Sequence, residues 1–210
     1  MFSAYGCCHV FNKSIAGYEI FRDEKDYLRM LGILDYYRFS DPPVSFSVSL
    51  DYPLPLAMGH KPRQELIRIL AFCLMPTHFH LVIELMRLDA SSDYLNVCLN
   101  AYSRYFNLRY GRKGPLWQGR TRKVSVGYGE AFLHVTRYVH LNPVTAYLVN
   151  ASEDWAYSSY GVYAGKGQGL GTKMVDKRYS EMSQGAYHEF VAGYKEKQRE
   201  HAKFKKLFLE

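Results

Sequence analysis

The sequence predicts an α+β sandwich in which helices pack on an antiparallel sheet. Two apolar runs, residues 66–74 and 78–85, are separated only by Met75-Pro76-Thr77 and pair naturally as a hairpin. Apolar spacing switches between strand and helix periods in the order strand, helix, two strands, helix, strand, helix. With 210 residues, 48% hydrophobic and 22% charged, the chain can bury a sizeable core and has an ordinary globular composition.

Taken in order, residues 9–15 alternate as a short strand. Phe21-Arg22-Asp23-Glu24 opens a helix running to about Phe39, with Asp23 as its N-cap and Leu28, Leu31 and Leu34 on one face. Residues 40–65 are proline-rich with little periodicity and read as an irregular insertion. After the hairpin, Ser91-Ser92-Asp93 caps a long helix to about Tyr110 whose Leu95, Tyr102 and Phe106 share a face. A Gly/Pro loop spans 111–119, and residues 121–126 alternate as a strand. A further helix covers about 129–141, and Pro143 ends or restarts it. The organisation expected is one domain over 1–160 and then a Gly-rich link and basic helical extension over 161–210. That tail carries Lys195, Lys197, Arg199, Lys203, Lys205 and Lys206.

The chain is basic, with 27 Lys and Arg against 20 Asp and Glu and a net charge of +7, which favours polyanions as partners. From Tyr94 to Gly129 there is no acid, yet there are seven cations: Arg104, Arg109, Arg112, Lys113, Arg120, Arg122 and Lys123. Tyr102, Tyr105, Tyr110 and Trp117 lie among them. Aromatic rings between cations suit unstacked bases, although a helical core stripe accounts for several equally well. Trp117 reads as a stacking platform or a loop anchor. No apolar run approaches the roughly 18–20 residues needed to span a bilayer, so a cytoplasmic protein with no membrane partner is expected. The four cysteines show no Cys-x-x-Cys spacing, which argues against a zinc ribbon or redox motif.

His78-Phe79-His80 is the most informative stretch. On a strand, residues two apart share a face, so both imidazoles project to one side while Phe79 enters the core on the other. Two imidazoles on one strand form half of a divalent-metal site, and the competing reading is a pair of solvent-facing or packing histidines. Tyr138 and Asn142 are four residues apart and so lie near one another on a helix. Asn142 can add an oxygen ligand, and a tyrosine beside such a site can act as a nucleophile on phosphorus. His140 lies about 200° round the helix from Tyr138 and is not assigned as a base.

Several motifs together resemble the HUH single-tyrosine transposases, most closely the REP-associated tyrosine transposases. They are Met75-Pro76-Thr77-His78-Phe79-His80-Leu81-Val82, Tyr105-Phe106-Asn107 with Gly114-Pro115-Leu116-Trp117-Gln118-Gly119-Arg120, and Arg137-Tyr138-Val139-His140-Leu141-Asn142-Pro143-Val144. Phe21-Arg22-Asp23-Glu24 and Trp155-Ala156-Tyr157-Ser158-Ser159 also match, so the likeness spans roughly residues 8–160. The resemblance implies a ferredoxin-like or RRM-like sandwich with helices on one face of the sheet. It also implies cleavage of single-stranded DNA beside REP-like hairpins, with Tyr138 as nucleophile and a 5′-phosphotyrosine intermediate. His78, His80 and Asn142 would hold Mg2+ or Mn2+. Arg104, Arg109, Arg112, Lys113, Trp117, Arg120, Arg122 and Lys123 would contact DNA. The insertion over 40–65 and the last 50 residues depart from the family pattern, which leaves monomer or homodimer open. A bacterial, nucleoid-associated location follows from the same likeness. The alternatives are a hairpin-binding module without cleavage, a two-histidine-motif phosphoesterase, for which no second motif stands here, and a relaxase or rolling-circle initiator.

Overall fold

The computed structural model describes residues 6–51, 63–87, 90–166 and 169–209. Strand β1 (Cys7–Lys13) leads to helix α1 (Glu24–Tyr37), a short α2 (Phe46–Asp51), and the hairpin β2 (Ile67–Met75) and β3 (His78–Leu85). Helix α3 (Ala90–Arg109), strand β4 (Arg122–Val126) and helix α4 (Glu130–Thr145) follow, then α5 (Tyr160–Ala164), α6 (Gln184–Ala192) and α7 (Lys195–Leu209). The four strands form one antiparallel sheet in the order β2-β3-β1-β4, with β1 between the hairpin and β4. Asp23 caps α1 as expected, its side chain accepting from Asp26 N.

Alternation divides the sheet into two buried faces. Val10, Phe72, Leu74, Phe79, Leu81 and Ile83 meet Tyr27, Met30 and Leu34 of α1 and Cys98, Tyr102 and Phe106 of α3. Cys73, Met75, Val82 and Val126 meet Phe132, Val139 and Val144 of α4, Tyr160 and Tyr163 of α5, and Tyr187 and Val191 of α6. Helices therefore cover both faces, where the sequence led us to expect one. Only α1 and α3 follow the expected arrangement. A register shift between Ile69 and Ala71 in β2 changes the phase of the alternation, so the first core receives Ile67 and Ile69 before it and Phe72 and Leu74 after it.

Two other expectations are corrected. The region after residue 160 is an integral part of the second core, with Tyr187 fully buried. The stretch after residue 40 contains α2, whose Phe46 ring lies over Gly32 of α1, where a Cβ would come within 2.5 Å of the ring. That contact explains a glycine in the middle of a helix. The rest of that insertion, residues 52–62, and the side chains of Lys205 and Lys206 lie outside the described residues. Among the described residues no helix is long and apolar enough to cross a membrane.

Candidate active site

The sheet face beneath α4 holds the histidines. Antiparallel register places Phe11 of β1 between His80 of β3 and Arg122 of β4, and Lys13 opposite His78. Side chains at His9, Phe11, His78, His80 and Arg122 consequently share one face. His78 and His80 rings stand 5.2 Å apart between centroids, nearly perpendicular. Their Nδ1 atoms are both engaged from outside the pair, His78 by Thr77 Oγ1 at 3.0 Å and His80 by His9 Nε2 at 3.0 Å. Nδ1 is thus the engaged nitrogen of each ring, and a metal-binding histidine commonly has one ring nitrogen held in this way while the other ligates. Burial lowers the pKa of His78 to about 4, with Lys13 adding to the effect, and lowers that of His9 to about 4. Neutral imidazole is the ligating form.

Helix α4 delivers Tyr138 to this face. Gly129, at φ 67°, turns the chain into the helix, a conformation that favours glycine. The Tyr138 ring meets His80 edge-on at 5.6 Å and His9 at 5.8 Å. The residue is 40% exposed, so a substrate can reach it from solvent. Partial burial still raises the phenol pKa above its usual value.

Pro143 neither ends nor restarts α4, which continues to Thr145. Proline lacks the N–H that would bond to Val139 O. Asn142 compensates: its Nδ2 donates to Tyr138 O at 2.9 Å and to Val139 O at 3.3 Å. Its amide nitrogen is thus committed to the helix, which leaves Oδ1 as the end of the amide suited to a cation. Among the described residues no group of three or more His, Cys, Asp or Glu is arranged to hold a metal ion. The donor set expected here, two imidazoles and an amide oxygen, is of a different composition.

The cations of the basic stretch separate into four groups. Arg109 is neutralised by acids of α1, bonding Asp23 at 2.6 Å and the fully buried Asp26 at 2.7 Å. Tyr105 and Tyr110 also donate to Asp26, so both phenols staple α3 to α1. Arg112 donates to Asn107 Oδ1, Gly114 O and Pro115 O and shapes its own loop. Trp117 proves an anchor: Nε1 donates to Ser103 Oγ at 3.0 Å and Leu99 O at 3.3 Å, and the ring packs on Phe79. Lys123 points to the α3 side, bonding Ser91 Oγ. Arg104, Lys113, Arg120 and Arg122 are exposed. Of these, Arg122 shares the histidine face, two strand spacings or about 10 Å from His80. The loop itself lies along the end of β1, through Ile15 N to Leu116 O and Gln118 N to Lys13 O.

A REP-associated tyrosine transposase bound to a REP hairpin is among the solved structures this chain matches, with a TM-score of 0.50 and 18% identity over 88% of this chain and 93% of that one. The chain has the REP-associated tyrosine transposase fold. A candidate transposase from Deinococcus radiodurans matches more loosely, with a TM-score of 0.35 and 14% identity over 63% of this chain and 87% of that one. No protein-family model and no curated protein matches the sequence. Within the transposase fold, His9 is the residue that sequence reasoning missed. Its place beside His80 depends on the β1–β3 register, which no local pattern reports.

Proposed function

We propose that the chain is a REP-associated tyrosine transposase of the HUH single-tyrosine class, a metal-dependent transesterase acting on single-stranded DNA beside a hairpin. One observation carries the reading: Tyr138, on α4, meets His80 of β3 on the sheet face that His78 shares. His78 and His80 would hold Mg2+ or Mn2+ through Nε2, with the Asn142 amide oxygen as a third donor. The ion would polarise the scissile phosphate and offset charge in the transition state.

The phenolic oxygen of Tyr138 bonds to phosphorus as the bond from phosphorus to the preceding 3′-oxygen breaks. The 5′ end stays on Tyr138 and a 3′-hydroxyl is released. Attack of another 3′-hydroxyl reverses the step, so strands rejoin without a nucleotide energy source. The raised pKa keeps the phenol protonated at neutral pH, so its proton must leave as it attacks. Arg122 sits on the same face, where a cation can hold the phosphate backbone.

The test is to incubate the full chain with Mn2+ or Mg2+ and labelled single-stranded hairpin DNAs. A covalent protein–DNA adduct is expected with the wild type and none with Tyr138→Phe, with hairpin affinity unchanged. An adduct of normal yield from Tyr138→Phe would remove the nucleophile assignment. Tight hairpin binding with no adduct from the wild type would favour the non-cleaving module.

A further inference from the structure

A third imidazole stands beside the histidine pair. His9 lies opposite Val82, which makes His80 its diagonal neighbour on the same sheet face. His9 Nε2 and His80 Nδ1 are 3.0 Å apart, and the two rings stack at 21° with centroids 5.2 Å apart. Phe11 packs on both rings, at 5.0 Å from His9 and 5.8 Å from His80.

Two neutral imidazoles can share such a bond in two ways, because one ring must donate and the other accept. If His9 donated, the His80 proton would sit on Nε2, and that nitrogen would have no lone pair for a cation. If His80 donates from Nδ1, its Nε2 keeps the lone pair that ligation needs. Thr77 makes the corresponding selection at His78. His9 is not a third ligand in this geometry, since among the described residues no trio of histidine and acidic or thiol groups converges. A carboxylate is a common acceptor behind a ligating histidine, but it would add a negative charge beside a phosphodiester. An imidazole acceptor orients the ring without that charge.

Resting on the metal-site reading above, we infer that His9 is a positioning residue of the metal centre. It accepts the Nδ1–H of His80 and so holds that ring in the tautomer and orientation that present Nε2 to the ion.

The experiment uses the full-length protein as wild type, His9→Phe, His9→Gln and His80→Ala. Long-range 15N–1H NMR of the imidazoles reads the His80 tautomer without metal, and calorimetry reads Mn2+ affinity. The wild type should carry the His80 proton on Nδ1. His9→Phe keeps an aromatic ring but removes the acceptor, so the proton should redistribute toward Nε2 and Mn2+ affinity should fall about 10–100-fold. His9→Gln places an amide oxygen where Nε2 was and should restore both readouts. An Nε2–H tautomer in the wild type would overturn the inference, and that measurement needs no variant to fold. Wild-type Mn2+ affinity in His9→Phe alongside its loss in His80→Ala would overturn the inference and leave the metal site standing. Unchanged Mn2+ affinity in His80→Ala would overturn the metal site and the inference with it.

Discussion

Alanine at Asn142 should weaken the fold as well as any metal site, and the two effects can be separated through Pro143. Pro143 deprives Val139 O of its helical donor, and Asn142 Nδ2 reaches that oxygen at 3.3 Å and Tyr138 O at 2.9 Å. Leaving a buried carbonyl unsatisfied costs about 1–3 kcal/mol, and Asn142 is half-buried, so Asn142→Ala should cost about 1 kcal/mol. That corresponds to a lowering of Tm by about 2–4 °C in a chain of this size. Urea unfolding measures it as a shift in midpoint at constant slope. In a Pro143→Ala background the new backbone N–H at position 143 can bond Val139 O. Asn142→Ala should then cost less than about 0.5 kcal/mol, beneath which a difference is hard to resolve. The same cost in both backgrounds would refute the role assigned to Nδ2. Adduct formation gives the other half of the answer. If Asn142 also donates Oδ1 to the metal, the double variant regains stability but not cleavage.

Three other outcomes are expected. Asp26→Ala leaves the Tyr105 and Tyr110 hydroxyls without their acceptor and Arg109 with Asp23 alone, and should cost about 3–5 kcal/mol by urea unfolding; a cost below about 1 kcal/mol would refute Asp26 as the centre of the α1–α3 contact. Replacing Lys113, Arg120 and Arg122 together by alanine should weaken hairpin binding and flatten its log–log salt dependence by about 2–3, at about 0.7–0.9 per phosphate contact; a wild-type slope, lost instead on truncation before Lys195, would place the DNA on the C-terminal tail. Burial lowers the His140 pKa from 6.5 to about 3, so the folded state binds fewer protons than the unfolded chain in that window; stability should be complete above pH 6.5 and fall as the pH drops toward 3, with a shallower fall in His140→Gln.

What the sequence made legible was local. The hairpin announced itself through Met75-Pro76-Thr77, and the two-residue period put His78 and His80 on one face without any knowledge of neighbours. The cap at Asp23 was readable for the same reason. The acid-free stretch shows where such reading fails. Residues 94–129 contain no carboxylate, but Asp23 and Asp26, more than 80 positions from Arg109, neutralise it across the α1–α3 interface. A charge pattern along the chain is not a charge pattern in space. His9 escaped notice because a lone histidine on a short strand means nothing until the partner strand and its register are known. Pro143 misled for a different reason: a side chain one residue away supplied the hydrogen bond that the proline removes.

The placement of Tyr138 also depends on the segment that no motif covers. The guanidinium of Arg137, next to the tyrosine, lies 3.6 Å from the ring centre of Tyr194 and 4.2 Å from that of Phe190. His140 is held between Tyr187 of α6 and Ser159, each at 2.7 Å, and Ser159 in turn bonds the backbone of Phe72 in β2. From α7, Gln198 donates to Tyr138 O and Thr145 Oγ1, and Arg199 donates to Val144 O. Residues 187–199 therefore grip α4 from its outer side while β2 and β3 support its inner side. On the proposed mechanism Tyr138 must meet a phosphate at β3, which requires its helix to be fixed relative to that strand. In a single chain the C-terminal helices supply that fixation through packing and hydrogen bonds. The tail thus helps to fix the helix that carries Tyr138, the proposed nucleophile.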